Sequence, residues 1–484
     1  MAEIYNSKNK LELEKFLNLV SEKILEQNLS LFVGAGSSIQ YGAMSWQELI
    51  DSVYNGSNNW NNTERAQYAE LKGVNIKLEI SNLISSVNID YTFKNTFLYY
   101  LLGFDYKSIW TTNYDHVIED VLKYKTKTYI PVFQYDHFKN LSYPNGNFLY
   151  KINGSYDRPK TIIITKNDFI DYRKSHEAYL ILLKRELLCH SFLFIGCSFD
   201  DDILRICIKD ILNCIENSSE NYLTNHYAII VESNKDKLSF ISEDLRQNYN
   251  INCLLVENYN MSYKIAYGIS AKVKYSSIFV SGSKAFTRHS KEEIAGKNVC
   301  KELVRSFIDL DDPHFKFISG MGMSIGHFVS GTIKEICRDR NISRFLQMEP
   351  FPFKNKTANE NHRKNIINQA GIFIFIYGDY NPTTDSIETS GMWKEYLEAK
   401  KDKLSIIIPL PCGNDSISKV IFEEELKNNQ SFSYKNNDLI KTFNHNKSNK
   451  TFFKKLVHKV IINVRKCTDK ILDEVINDLN LLDK

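Results

Sequence analysis

Four short segments place small residues, amides, hydroxyls and carboxylates where an apolar run stops. They are Phe32-Val33-Gly34-Ala35-Gly36-Ser37-Ser38, Thr111-Thr112-Asn113-Tyr114-Asp115, Lys151-Ile152-Asn153-Gly154-Ser155 and Phe194-Ile195-Gly196-Cys197-Ser198-Phe199-Asp200-Asp201. In the first, small residues let a backbone approach a pyrophosphate, and a helix opening directly after it favours the anion. Taken alone, that turn is equally a device for close strand–helix packing. Taken together, the four read as strand ends converging on one crevice at the carboxyl edge of an open α/β sheet, where such sheets bind ligands. His116 stands at the start of the next helix, a place for capping or for the surface. Asp200, Asp201 and Asp202 open another helix, where the helix dipole accounts for them.

This quartet, in this order, resembles the sirtuin-like family over roughly residues 1 to 260. The resemblance implies that Gly34, Ala35, Gly36, Ser38, Thr112, Gly196 and Ser198 line NAD+, and that Asn113 and Asp115 lie beside the nicotinamide ribose. Two departures matter. Deacetylases of the family carry a four-cysteine zinc module, whereas the nine cysteines here are irregularly spaced and never form C-x-x-C. No metal site is expected, and hydrolysis of NAD+ fits better than removal of an acyl group from lysine. The family also has His before the glycine of the third segment, where this chain has Asn153. That His is a general base, and an amide cannot take up a proton at neutral pH. General acid–base catalysis contributes about 10²- to 10⁴-fold, so the expectation is NAD+ binding with poor turnover. An inactivating substitution and a natural loss of turnover both account for Asn153.

In the second half, Ile278-Phe279-Val280-Ser281-Gly282-Ser283 and Phe317-Ile318-Ser319-Gly320-Met321-Gly322-Met323-Ser324-Ile325-Gly326 end strands in loops that offer amides and hydroxyls to an anion. No Lys-Ser or Lys-Thr pair follows the glycines, so this is not a Walker motif. The pair resembles the SLOG family of nucleotide-sensing Rossmann-like domains over about residues 274–430. Hydrolytic members of that family carry a proline-glycine-rich loop before a Glu-bearing helix. Here Glu388-Thr389-Ser390-Gly391-Met392-Trp393-Lys394-Glu395 takes that place with the glycines eroded, which favours binding over hydrolysis. The resemblance implies a signal nucleotide at Gly282, Ser283, Gly320, Gly322 and Ser324, with Glu395 on ribose hydroxyls and Arg363 on a phosphate. A sirtuin-like domain followed by a SLOG domain resembles bacterial anti-phage effectors. That order implies a self-associating NAD+ hydrolase, a tetramer or larger, held idle until its SLOG domain binds a cyclic ADP-ribose isomer made by a TIR-domain partner protein. The other reading is a non-catalytic NAD- and nucleotide-binding regulatory module, and Asn153 is the feature in its favour.

The elements that must position these residues follow from periodicity. LSLFV, KSIWTT, NFLYK, SFLFI and HYAII are buried runs of strand length separated by helical patterns, as are SSIFVS, HFKFIS, GIFIFI and LSIIIPL further on. Such alternation implies two open, largely parallel sheets covered by helices. The fold class is therefore α/β, with a boundary near residue 273 that separates residues 1–273 from 274–484. Residues 11–27 read as an amphipathic helix, and the stretch from Thr451 as a closing helix that docks on the second sheet or on a neighbouring subunit. The chain has 484 residues, 43% of them hydrophobic and 25% charged, the balance of a globular protein long enough for two or three cores. A net charge of +3 with interspersed signs gives no footprint for nucleic acid. No apolar run is long enough to cross a membrane and no secretory leader opens the chain, so a cytoplasmic location is expected.

Overall fold

The computed structural model describes residues 2–54, 60–90, 96–125, 127–133, 147–197, 199, 202–216, 225–310, 315–338, 340–351, 355–379, 386–412, 416–447 and 449–481. It divides into two compact units, Met1–Tyr267 with Val475–Lys484, and Gly268–Glu474. The division falls inside the helix Tyr259–Tyr275, a few residues before the boundary read from the sequence. The last residues group with the first unit, where Asp478 accepts from Lys264, rather than with the second.

The first unit is built on eight strands: β1 Ile4–Asn6, β2 Leu29–Val33, β3 Ser108–Thr111, β4 Ile130–Val132, β5 Phe148–Lys151, β6 Ser191–Ile195, β7 His226–Val231 and β8 Ile251–Val256. Their order across the sheet is β1-β8-β7-β6-β2-β3-β5-β4, with every pairing parallel. Parallel strands covered on both faces need apolar residues throughout, and β2 and β6 are buried at every position. From β2 the chain passes to β3 on one side and later to β6 on the other, so the order reverses around β2. That reversal leaves a crevice beyond the carboxyl ends of β2, β3 and β6. The expected N-terminal helix runs Lys10–Leu25 and is capped by the Asn9 side chain.

The second unit carries β9 Ser277–Ser281, β10 Lys316–Ser319, β11 Leu346–Met348, β12 Ile372–Ile376 and β13 Ile406–Leu410, again all parallel, in the order β11-β10-β9-β12-β13. Here the order reverses around β9. The α/β architecture with two parallel sheets is as the sequence implies. Four strands have no counterpart in the sequence reading. Three of them, β1, β4 and β11, are three-residue edge strands too short to carry a period, and β8 is six residues long.

The turn after β2 differs from expectation. It opens into two single 3₁₀ turns, Ala35–Ser37 and Ile39–Tyr41, and the first α-helix starts only at Trp46. The amides of Gly34, Gly36, Ser37 and Ser38 already donate to Ile195, Gly196, Gly34 and Ala35 carbonyls. The glycines therefore serve packing before anion binding. A Cβ on Gly34 would lie 2.3 Å from the Gly196 carbonyl oxygen, and Gly196 itself has a φ of +63° with its Cβ position 2.4 Å from the Ser37 nitrogen. Gly34→Ala is expected to cost about 3 kcal/mol or more in urea unfolding of the first unit, since two backbones must separate. Gly73→Ala, at a φ of +89° but with nothing within 4 Å, is expected to cost only about 1 kcal/mol.

Candidate functional site

A cavity of about 1200 Å³ lies in the first unit. Gly34, Ala35 and Gly36 border it from the end of β2, Thr112, Asn113 and Asp115 from beyond β3, Asn153 from beyond β5 and Gly196 from beyond β6. Four strand ends thus contribute to one cavity. Ser198, with Asp200 and Asp201, lies outside the described residues.

Ser38 is fully buried and organises the polar wall. Its hydroxyl accepts from Asn113 Nδ2 at 3.0 Å and donates to Asp115 Oδ1 at 3.2 Å. Asn113 Nδ2 also reaches the Gly34 carbonyl, at 3.3 Å, and the Thr111 hydroxyl accepts the Asn113 amide. These bonds fix which way the Asn113 amide points. Its Oδ1 is left buried with no hydrogen-bond partner among the described residues, and the Oδ1 of Asn153 is in the same condition. Two orphaned acceptors on one cavity wall need donors, because an unpartnered buried acceptor costs about 1–3 kcal/mol.

Asp115 accepts the Val117 amide at 3.0 Å and so caps the helix Val117–Tyr124. The capping role expected for His116 has passed to its neighbour: His116 occupies the cap position but its side chain makes no cap bond. Instead its Nε2 lies 3.0 Å from Ser155 Oγ and 3.4 Å from Asp157 Oδ1, and the ring borders the cavity. Burial pushes the Asp115 carboxyl above its usual range, and the opposing charge of Lys151 only partly offsets this. Lys151, at the end of β5, is 1% exposed; its ammonium donates to the Asp115 carbonyl at 2.5 Å and to Glu119 at 2.8 Å. The sequence reading placed Lys151 and Ser155 in the third strand-end segment without giving either a role, and it missed Asp157. The only sign of the first was a cation closing a buried apolar strand. It also passed over the helices Trp46–Val53 and Ile76–Ser86, which supply Trp46, Leu49 and Ile84 to the cavity wall.

In the second unit, the loops beyond β9, β10 and β12 meet. A Cβ on Gly322 would fall 2.3 Å from the Gly282 carbonyl oxygen, one on Gly282 would fall 2.4 Å from that of Ile376, and the Ser283 carbonyl accepts the Gly378 amide at 3.0 Å. Met321, Ser324 and Tyr377 all hold positive φ without being glycine, a concentration of backbone strain at strand ends. Ser324 heads the helix Ile325–Ile336 without spending its side chain on a cap. Gly320 abuts the Phe351 ring, over which the Arg363 guanidinium stacks at 5.2 Å. Glu395, on the helix Gly391–Ala399, is buried, accepts from Ser281 Oγ at 2.5 Å and stands 3.7 Å from Arg363 Nε. Burial raises its carboxyl, against the Ser281 hydrogen bond and the Arg363 charge. The structure thus joins Arg363 and Glu395 into one pair. No group of three or more residues suited to a metal occurs among the described residues, and no helix among them is long and apolar enough to cross a membrane.

The raised carboxyl of Asp115 sets a sign. Its contribution to stability is present below the ordinary value of 3.8 and lost as pH rises through the higher folded value. Asp115→Asn is therefore expected to raise the urea midpoint of the first unit at pH 7, with the gain over the parent closing as pH falls through the raised folded value to 3.8. An unchanged difference across that range would remove the buried charge as its cause.

Comparison with known proteins agrees with both halves. Residues 107–254 match the SIR2-like domain family, and residues 264–467 match the Sir2- and TIR-associating SLOG family. The second match extends beyond residues 274–430 at both ends. Over 438 residues, 84% of this chain and 89% of the relative, the sequence is 26% identical to a protein named NAD(+) hydrolase ThsA from Enterococcus faecium. It is 26% identical over 413 residues to one of that name from Bacillus cereus (strain MSX-D12), covering 79% of this chain and 83% of the relative. A third, from Acinetobacter baumannii (strain 532279), is 27% identical over 392 residues, or 75% of this chain and 79% of the relative. A SIR2-like domain followed by a Sir2- and TIR-associating SLOG domain is thus what the family matches give this chain, and along most of its length it is similar to proteins named NAD(+) hydrolase ThsA.

Proposed function

We propose that this chain is an NAD+ hydrolase of Thoeris-type anti-phage defence, gated by a cyclic ADP-ribose isomer that a TIR-domain partner protein makes and the second unit binds. The observation that carries the reading is the pair of orphaned amide oxygens, Asn113 Oδ1 and Asn153 Oδ1, on a cavity that collects four strand ends. The hydroxyls of the nicotinamide ribose are donors of the kind these oxygens lack. Asn113 and Asp115, locked by Ser38, orient the ribose as the glycosidic bond loosens toward an oxocarbenium-like state. Water then attacks the anomeric carbon, nicotinamide departs, and loss of NAD+ halts the infected cell.

In the second unit, Arg363 takes a phosphate of the signal and Glu395 its ribose hydroxyls. A half-buried guanidinium and a buried carboxyl 3.7 Å apart recognise a ligand carrying both donors and anionic oxygens. Binding shifts the balance between idle and active forms of a cytoplasmic homo-oligomer. It can do so only as far as the ligand prefers the active form. A regulatory module that binds NAD+ and the signal without turnover is the second reading, and Asn153 favours it, since an amide supplies no base.

The deciding experiment follows NAD+ consumption by the purified full chain with and without cyclic ADP-ribose isomers. Isomer-dependent nicotinamide release is expected, and Asn153→His is expected to raise it by about 10²-fold, the lower end of what a positioned base contributes. NAD+ binding with no release in either chain would establish the regulatory module instead. Arg363→Ala is expected to raise the isomer concentration for half-maximal turnover by about tenfold or more, through loss of a charge-assisted contact, with the maximal rate nearly unchanged. An unaltered concentration dependence would place the signal elsewhere.

A further inference from the structure

Within the NAD+-hydrolase reading, on which this inference rests, the attacking water must give up a proton, and Asn153 cannot accept it. We propose that His116 takes that proton in this chain, with Asp157 and Ser155 as the residues that position its ring. The geometry supplies what a general base needs. His116 borders the same cavity as Asn113, Asp115 and Asn153, and its side chain is one-third exposed, enough to meet a bound water. Its Nε2 is held between Ser155 Oγ at 3.0 Å and Asp157 Oδ1 at 3.4 Å. A carboxylate on one ring nitrogen keeps the proton there and leaves the other as acceptor, and Nδ1 makes no hydrogen bond with the described residues. Because Ser155 and Asp157 meet the same nitrogen, the three do not form a nucleophile–base relay, which needs its two partners on opposite nitrogens.

The ring is also held in place. Its centroid lies 4.6 Å from that of Tyr156, whose carbonyl accepts from Ser81 at 2.5 Å, and the Tyr156 amide donates to the Tyr114 carbonyl. The charged groups around it are Asp157 and Arg158 beyond β5, Lys151 on β5, and Asp115, Glu119 and Asp120 on its own segment. Asp157 remains ionised in that setting: burial raises its carboxyl, but the Ser155 hydrogen bond and the charges of His116, Arg158 and Lys151 together hold it below the usual range.

The step balances without a co-reactant. The bond from the anomeric carbon to the nicotinamide nitrogen breaks, and its electron pair leaves with neutral nicotinamide. The water oxygen forms the new bond to that carbon. Its proton passes to Nδ1 of His116 and from there to solvent, giving ADP-ribose and nicotinamide.

The test uses four full-length chains, the parent, His116→Gln, Asn153→His and the double variant, assayed for NAD+ turnover with cyclic ADP-ribose isomers present and for NAD+ affinity by calorimetry. In the parent background His116→Gln is expected to lower kcat by about 10²-fold with NAD+ affinity retained. In the Asn153→His background the same change is expected to matter little, because a base has returned to the wall. Equal losses in both backgrounds would reduce His116 to a structural part, and no loss in the parent would remove it from the chemistry. If the Asn153→His chain binds NAD+ yet releases no nicotinamide, the hydrolase reading fails and this one with it; activity there with a silent His116→Gln overturns this inference alone. Asp157→Asn is expected to lower kcat in the parent background with NAD+ affinity retained, and to matter little in the Asn153→His background, because it acts only through the His116 ring. Equal losses in both backgrounds, or none in the parent, would deny Asp157 its positioning role.

Discussion

Two glycines meet backbone to backbone where β2 and β6 leave the first sheet, and the cavity depends on that contact. Gly34 and Gly196 bring the strand ends close enough for Gly34 to donate to Ile195 and Gly36 to donate to Gly196. Any side chain at Gly34 would sit on the neighbouring carbonyl. Because β2 lies where strand order reverses, helices on either side diverge, and the crevice between them stays open. Residues far apart in sequence, Asn113 and Asn153 among them, reach one wall because parallel pairing sets β3 beside β2 and β5 beside β3 in register.

The polar wall is held from behind by groups that do not face the cavity. Ser38 divides its hydroxyl between Asn113 and Asp115, and Lys151 fastens the Asp115 carbonyl to Glu119. A fully buried ammonium is costly unless it is paired and hydrogen-bonded, and Lys151 is both. The consequence is a preorganised set of acceptors whose open valences point to a ligand. Their orientation is fixed by the fold itself, before any ligand is bound.

The second unit repeats the topology with different chemistry. Its strand ends also meet through glycine contacts, and strain is concentrated at Met321, Ser324 and Tyr377. Where the first unit presents orphaned amide oxygens, the second presents a half-buried Arg363 beside a buried Glu395.

The sequence by itself determined the fold class, nine of the thirteen described strands and the four strand ends that border the cavity, because buried parallel strands must be apolar and their ends must turn on small residues. The resemblance of these segments to the sirtuin-like family marked Asn113, Asp115 and Asn153. The short edge strands β1, β4 and β11 were illegible because three residues carry no period. Only the tertiary structure decided the rest. The G-A-G turn makes a backbone packing contact with the end of β6 and continues into 3₁₀ turns, because the Gly34 and Gly36 amides donate to the Ile195 and Gly196 carbonyls. The cap moved from His116 to Asp115, freeing the imidazole to meet Ser155 and Asp157 across 39 residues of chain and more. Arg363 and Glu395 became one pair. Each of these depends on which distant residues share a few ångströms, and that is set by sheet order and register, not by local pattern.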